Sequence, residues 1–180
     1  MGKLLYALIA GIVGAGIVHI ATLLLIPTVS DIDTWTRLSN LGTLNAFHRV
    51  EHVGETAISI RALDPTFEVA ACRFDLNDGP VQVISDLSAP FWSLSIYNRR
   101  GENIFSINDR TANEPNLDVI IATPRQVVEL RKSLAPEVDT AIIAENDIDE
   151  GFVVLRAFVE DASLMPTVLR FLESASCDLY

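Results

Sequence analysis

The sequence predicts an α+β protein: one N-terminal transmembrane helix, then an antiparallel, β-rich, sandwich-like domain carrying two or three helices. Three observations carry this. Leu4 to Ile26 runs without a charge, taking His19 as neutral, and is about long enough to cross a bilayer core. Short runs of alternating polarity follow, clearest in Phe91–Tyr97 and Asn103–Ile107. Two helix starts with capping residues come late in the chain, after most of the strands. On this reading residues 1–27 are the anchor, 28–64 a short helix and connector, and 65–180 the β-rich domain.

Composition narrows the function classes. The 180-residue chain carries 24 acidic and 13 basic residues, a formal net charge of −11. A nucleic-acid binder needs a basic stripe to displace counterions, and the sequence has none. Lys3 and Lys132 are the two lysines, so most positive charge is arginine, whose planar fork suits paired hydrogen bonds. Cys72 and Cys177 make neither a disulfide framework nor a zinc pattern. A single Cys72–Cys177 bridge is expected if the domain lies in an oxidising compartment.

The apolar start is read as an uncleaved anchor. A signal peptide has a shorter apolar core and a small-x-small cleavage site, whereas this run ends Ala21-Thr22-Leu23-Leu24-Leu25-Ile26-Pro27. Lys3 before the span favours the N-terminus inside and the domain outside the cytoplasm, across the inner (plasma) membrane. In a Gram-negative cell the domain is then periplasmic. Ala7, Gly11 and Ala15 recur every four residues, a spacing that lets a second helix approach closely, although small residues are common in spans in any case. His19 either serves a function in the span or is a neutral imidazole bonded to a backbone carbonyl or Thr22. Pro27 is expected to end the helix. A short helix capped by Asp31 or Asp33 follows, through Trp35 and Leu38, and ends near Gly42.

Asn45 to Glu55 holds His48, Glu51, His52 and Glu55, which on a helix share one face. That set is a weak metal candidate, since the order is not HExxH and a solvated connector explains it equally. Phe67–Leu76 reads as a central strand, apolar on both faces, that returns through Asn77-Asp78-Gly79-Pro80 into Val81–Ser85 as a hairpin. Leu117–Ala122 is a buried strand, and Thr123-Pro124-Arg125-Gln126 starts a helix to Leu134 with a capping box. Val138–Ala144 and Phe152–Val159 are strands. Ser163 is expected to cap a last helix, Leu164–Ala175.

The most informative stretch is Phe91–Arg110. Trp92, Leu94 and Ile96 alternate with Phe91, Ser93, Ser95 and Tyr97, and Asn98-Arg99-Arg100-Gly101 turns the chain into a second strand. Asn108-Asp109-Arg110 closes it. Ser93, Tyr97, Asn108, Asp109 and Arg110 are the candidate residues of a ligand-binding site, or of a hydrolase-like active site, at the hairpin exit, with Phe91 and Trp92 as a floor. The competing reading is structural: Asn108 caps a turn, Asp109 and Arg110 pair with each other or with Arg73 and Asp75, and the aromatics are core. No glycine-rich phosphate loop follows a strand, no GxSxG elbow occurs, and His48 and His52 alone are available to a Ser-His-Asp triad. No catalytic residue and no cofactor is assigned.

The segment PFWSLSIYNRRGENIFSINDRTA resembles the signature of the DUF1254 family, in its short, membrane-anchored alphaproteobacterial form. DPTFEVAACRFDLNDGPV, ATPRQVVELR, GFVVLRAFV, FLESASC and the apolar start ending IVHIATLLLIP extend the likeness colinearly. The resemblance implies a β-rich, sandwich-like domain. Larger members fuse it to a second domain, DUF1214, and this chain ends before one, so a separate DUF1214-like membrane protein is the implied partner. The family transfers no activity.

Overall fold

The protein is described from a computed structural model. It describes residues 2–39, 42–50, 64, 66–112, 116–133 and 141–180, and side chains outside 27–34, 36–37 and 133. Helix α1 spans Gly2–Ser39, strand β1 His48–Arg49, β2 Phe67–Asp75, β3 Val81–Ser85, β4 Trp92–Asn98, β5 Asn103–Asn108 and β6 Leu117–Ala122. Helix α2 (Pro124–Ser133) is followed by β7 (Ile142–Glu145), β8 (Glu150–Phe158), α3 (Met165–Ser174) and β9 (Ser176–Leu179).

The strands form two sheets. Sheet 1 has the order β1-β2-β8-β4-β5, with antiparallel pairs throughout. Sheet 2 has the order β7-β6-β3-β9, and its β6–β7 pair is parallel, joined through α2. The inward residues of both sheets form one core. Sheet 1 contributes Phe74, Trp92, Leu94, Ile96 and Leu155; sheet 2 contributes Val81, Val83, Leu117, Val119 and Ile121. Helix α3 adds Val168, Phe171 and Leu172, and Phe171 stacks on Trp92 with ring centroids 6.3 Å apart. The α+β, sandwich-like reading is therefore what the chain forms.

Each sheet is also partly covered on its outer face. Helix α2 lays Val127 and Leu130 on Ile120 and Ala122 of sheet 2. It starts as its sequence requires: Thr123 N–H donates to Gln126 Oε1 at 2.9 Å, and Gln126 N–H donates to Thr123 Oγ1 at 3.4 Å. On sheet 1, Trp35 and Leu38 near the end of α1 pack with Val50, Val69, Ala71 and Phe152. Cys72 in β2 and Cys177 in β9 are disulfide-bonded with Cα atoms 6.6 Å apart, so the bridge expected from the sequence links sheet 1 to sheet 2.

Several expectations need correction. Helix α1 continues through Pro27 to Ser39 instead of stopping and restarting. A proline costs a helix one hydrogen bond and crowds one carbonyl, about 3 kcal/mol, and intact turns on both sides sustain the run. Asp31 and Asp33 therefore start no separate helix. Phe67–Leu76 and Val81–Ser85 are not a hairpin: β2 pairs with β8 over nine residues, and β3 lies in the other sheet. The two-faced apolar pattern of β2 calls for a long partner and cover on both sides, whereas β3 buries only alternate residues. Gly79, at φ 149°, turns the chain across the sandwich. The last helix is entered from Asp161, whose side chain accepts from Ser163 N–H at 2.8 Å; a 3-10 turn at Ala162–Leu164 leads into α3, with Pro166 in its first turn. Residues Ser176–Leu179, with no strand expected, pair with β3 as β9.

Candidate ligand-binding face

The hairpin β4–β5 forms as its alternation dictates. Trp92, Leu94 and Ile96 are 0–1 % exposed in the core, and Ser93, Ser95 and Tyr97 face outward. Asn98-Arg99-Arg100-Gly101 makes the turn, with Gly101 at φ 81° and its N–H on Asn98 O at 2.9 Å. The register shifts between Ile96 and Tyr97, which pair with Phe105 and Asn103 and leave Ile104 as the extra residue of a bulge.

The five candidate residues do not meet at one point. Ser93 lies directly opposite Asn108. Tyr97 is four residues further along β4, about 13 Å at ~3.3 Å per residue. Asn108 Oδ1 is engaged by its own turn, accepting from Arg110 N–H, Thr111 N–H and Thr111 Oγ1, each at 3.1 Å. Asp109 N–H donates to Trp92 O at 3.2 Å, and Asp109 Oδ1 is buried without a hydrogen bond. Arg110 is exposed. Among the described residues, Asp109 and Arg110 pair neither with each other nor with Arg73 or Asp75. The turn-capping reading of Asn108 is the one realised.

A cavity of about 170 Å³ does lie beside the hairpin exit, between the sheets, lined by Trp92, Ile107, Ala112, Leu117, Val119 and Ile142 among others. None of the five candidates lines it. Trp92 is core, and its Nε1–H is buried without an acceptor.

The outward residues of sheet 1 give a different grouping. Cross-strand register places Asn108, Ser93, Arg156 and Val69 in one row across β5, β4, β8 and β2. A second row is Tyr97, Phe152 and Arg73. The rings of Tyr97 and Phe152 stack at 5.0 Å and 11°, and Arg156 Nη2 donates to Tyr97 Oη at 3.5 Å. Burial pushes the Tyr97 phenol up. Hydrogen bonds with Arg156, Asn103 and Ser95, and the Arg156 charge, outweigh it and hold the phenol below its ordinary 10.0. Ser106 Oγ donates to Ser95 Oγ at 3.1 Å and receives Asn103 Nδ2 at 2.9 Å. Two of the three sequence candidates on this face, Ser93 and Tyr97, thus flank Arg156, which sequence reasoning missed. The signal was present: Arg156 is the one charge inside the apolar run Gly151–Val159.

At the other end of the face, Arg73 Nη2 donates to Gly42 O at 2.8 Å, and the guanidinium lies over Trp35. His48 sits in β1, not on a helix, with its ring packed against Gly42 and Nε2 buried without a hydrogen bond. Glu51, His52 and Glu55 lie outside the described residues, and among the described residues no group of three His, Cys, Asp or Glu side chains is placed to hold a metal. Ala7, Gly11 and Ala15 are exposed on α1, with nothing within 4 Å of a Cβ at Gly11. Thr22 Oγ1 bonds back to Val18 O at 2.8 Å rather than to His19.

No protein-family model matches this chain, and none of the curated proteins does. Among solved structures, the chain is similar to the VPA0106 protein from Vibrio parahaemolyticus, with a TM-score of 0.56 and 14 % identity over 80 % of this chain and 32 % of that one. It is also similar to a putative uncharacterized protein from Burkholderia cenocepacia, with a TM-score of 0.45 and 17 % identity over 64 % of this chain and 31 % of that one. The chain thus spans about a third of the length of the solved proteins it matches.

Proposed function

We propose that this chain is a single-pass membrane protein of the DUF1254 type, whose sandwich stands on the outer side of the inner membrane and binds a companion protein carrying a DUF1214-like domain. The observation that carries the reading is α1. Gly2–Ile26 is 25 residues long, has a mean hydropathy of 2.4 and is exposed all round, so it is long and apolar enough to cross a membrane and packs on no part of the domain. The same helix runs on into Trp35 and Leu38, which seat it on sheet 1. A disulfide linking the sheets suits an oxidising compartment. The partial cover of the VPA0106 protein supports the companion: there, this fold is about a third of a longer chain. The small-residue face of Ala7, Gly11 and Ala15 offers a place for a second helix.

The test has two arms. Alkaline phosphatase fused after Tyr180 is expected to be active and a green fluorescent protein fusion dark; the reverse pattern would place the domain in the cytoplasm. Crosslinked copurification with a co-expressed DUF1214-domain membrane protein is expected from the native chain and is expected to fall when Ala7, Gly11 and Ala15 become leucine. Absence of that protein from the native eluate would remove the companion.

A further inference from the structure

We propose that the outer face of sheet 1 binds a small-molecule carboxylate carried on an apolar body, with Arg156 as its anchor. This goes beyond the companion-protein reading and does not depend on it. The starting observation is an imbalance. The chain has nearly two acidic residues for each basic one, yet half-buried Arg156 has no acidic partner among the described residues. Among the described residues its one side-chain hydrogen bond is the 3.5 Å contact to Tyr97 Oη. A guanidinium partly removed from water without a counter-charge is costly, and an ion pair supplied by a ligand relieves that cost.

The neighbours are donors. Ser93 lies directly beside Arg156 in register, on a strand about 4.8 Å away, and its hydroxyl makes no hydrogen bond among the described residues. Asn108 is next in the row; its Oδ1 is taken by the turn, which leaves its Nδ2 to donate. The row Asn108–Ser93–Arg156 therefore presents an amide, a hydroxyl and a guanidinium fork and no carboxylate, an arrangement that matches an oxyanion.

Charge and shape select the oxyanion. One guanidinium neutralises one negative charge, and the protein already carries −11, so a monovalent carboxylate is favoured over a dianionic phosphate. Two residues beyond Arg156 on the same face, Phe158 belongs to an aromatic cluster with Phe67 at 5.2 Å, and Phe67 meets Phe91 at 6.4 Å. All three rings are half-buried. They offer an apolar bed beside the cation, which is why the body of the acid is apolar.

The test is a titration of the full chain in lipid nanodiscs, followed through the Arg156 Nε–H and Tyr97 ring signals by NMR. The probes are benzoate, benzamide, acetate and inorganic phosphate. Saturable shifts of both signals are expected with benzoate, with binding at least about tenfold weaker for benzamide, which lacks the charge, and for acetate, which lacks the ring. Arg156→Met and Arg156→Lys are each expected to weaken benzoate at least about tenfold, the lysine because it keeps charge but loses the fork. Should Arg156→Met fail to fold, Arg156→Lys decides alone. Ser93→Ala is expected to weaken benzoate by a smaller factor. No saturable shift with benzoate, equal binding of benzamide or acetate, tighter binding of phosphate, or undiminished affinity in Arg156→Lys overturns the proposal.

Discussion

The guanidinium of Arg73 lies 5.5 Å from the ring centroid of Trp35, which joins the end of the apolar helix to the outer face of sheet 1. Arg99, in the β4–β5 turn, approaches the same ring at 5.3 Å and also pairs with Glu150. One indole thus couples α1 to β2 and to the hairpin. Cation–π contacts contribute about 0.5–2 kcal/mol each. Trp35→Ala is expected to destabilise the domain by about 2 kcal/mol. Denaturation of the detergent-solubilised chain, followed by Trp92 fluorescence, measures it. An unchanged midpoint would show that the helix end and the sheet are energetically independent.

The disulfide closes a loop with a sequence separation of 105. A loop of that size restricts the unfolded chain by about 4–5 kcal/mol in the chain-entropy account. Replacing Cys72 and Cys177 by alanine together is expected to lower the unfolding free energy by that order. Addition of reductant to the native chain, with alkylation of the freed thiols, is expected to reproduce the loss.

Gly151 admits no side chain. A Cβ there would sit 2.5 Å from Tyr97 O and 2.6 Å from the Phe74 ring, both held in the paired sheet. Gly151→Ala is expected to cost about 1–3 kcal/mol through overpacking, read as a lower melting temperature. Gly101→Ala meets no atoms but sits at positive φ, so its smaller penalty, about 1 kcal/mol, comes from backbone strain alone.

Acid sensitivity has identifiable sources at turns. Hydrogen bonds from Thr66 hold Asp64, and hydrogen bonds from Ser163 hold Asp161, below the usual 3.8. A carboxylate with a depressed folded pKa contributes stability that is fully present above the unfolded value and is lost as pH falls through the folded one. The melting temperature is therefore expected to fall as pH drops below about 4. Asp161→Asn is expected to flatten that part of the profile while leaving the neutral-pH fold intact; an unaltered profile would locate the acid response elsewhere.

Thr123→Ala is expected to cost about 1 kcal/mol. It removes the acceptor for Gln126 N–H, while Gln126 Nε2 still donates to Leu76 O at 2.7 Å. The double variant with Gln126→Ala separates the two: a loss smaller than the sum of the singles would show the box and the tertiary contact to be coupled.

Much of the fold was legible locally because its causes are local. Strict alternation over Trp92–Ile96 fixed which side chains enter the core, and glycine at Gly101 fixed a turn with positive φ. The capping box named the start of α2. What failed were inferences from chain order to space. Val81–Ser85 follows β2 after a short turn, and adjacency suggested a hairpin, but whether a turn folds a strand back or carries it into a second sheet depends on which long partner the first strand finds. That partner, β8, lies far along the chain. The grouping of side chains on the outer face of sheet 1 was hidden for the same reason. Ser93, Tyr97 and Asn108 were found because they punctuate the hairpin, and Arg156 was passed over because its strand is remote in sequence and adjacent only across the sheet.

By itself, the sequence determined an uncharged N-terminal run long enough to span a bilayer, the inward face of the hairpin, the acidic balance and a single pair of cysteines with no other partner. These follow from the order of side chains along one segment, or from counting. Tertiary structure alone decided that the two cysteines face each other across the sheets, that α1 runs past Pro27 to seat Trp35 against Arg73 and Arg99, and that Arg156 stands beside Ser93 with no acidic partner among the described residues. The first and last depend on which strands pair and in what register, and the second on how the end of a helix packs against sheet 1; all three join segments remote in the chain, which no single segment encodes.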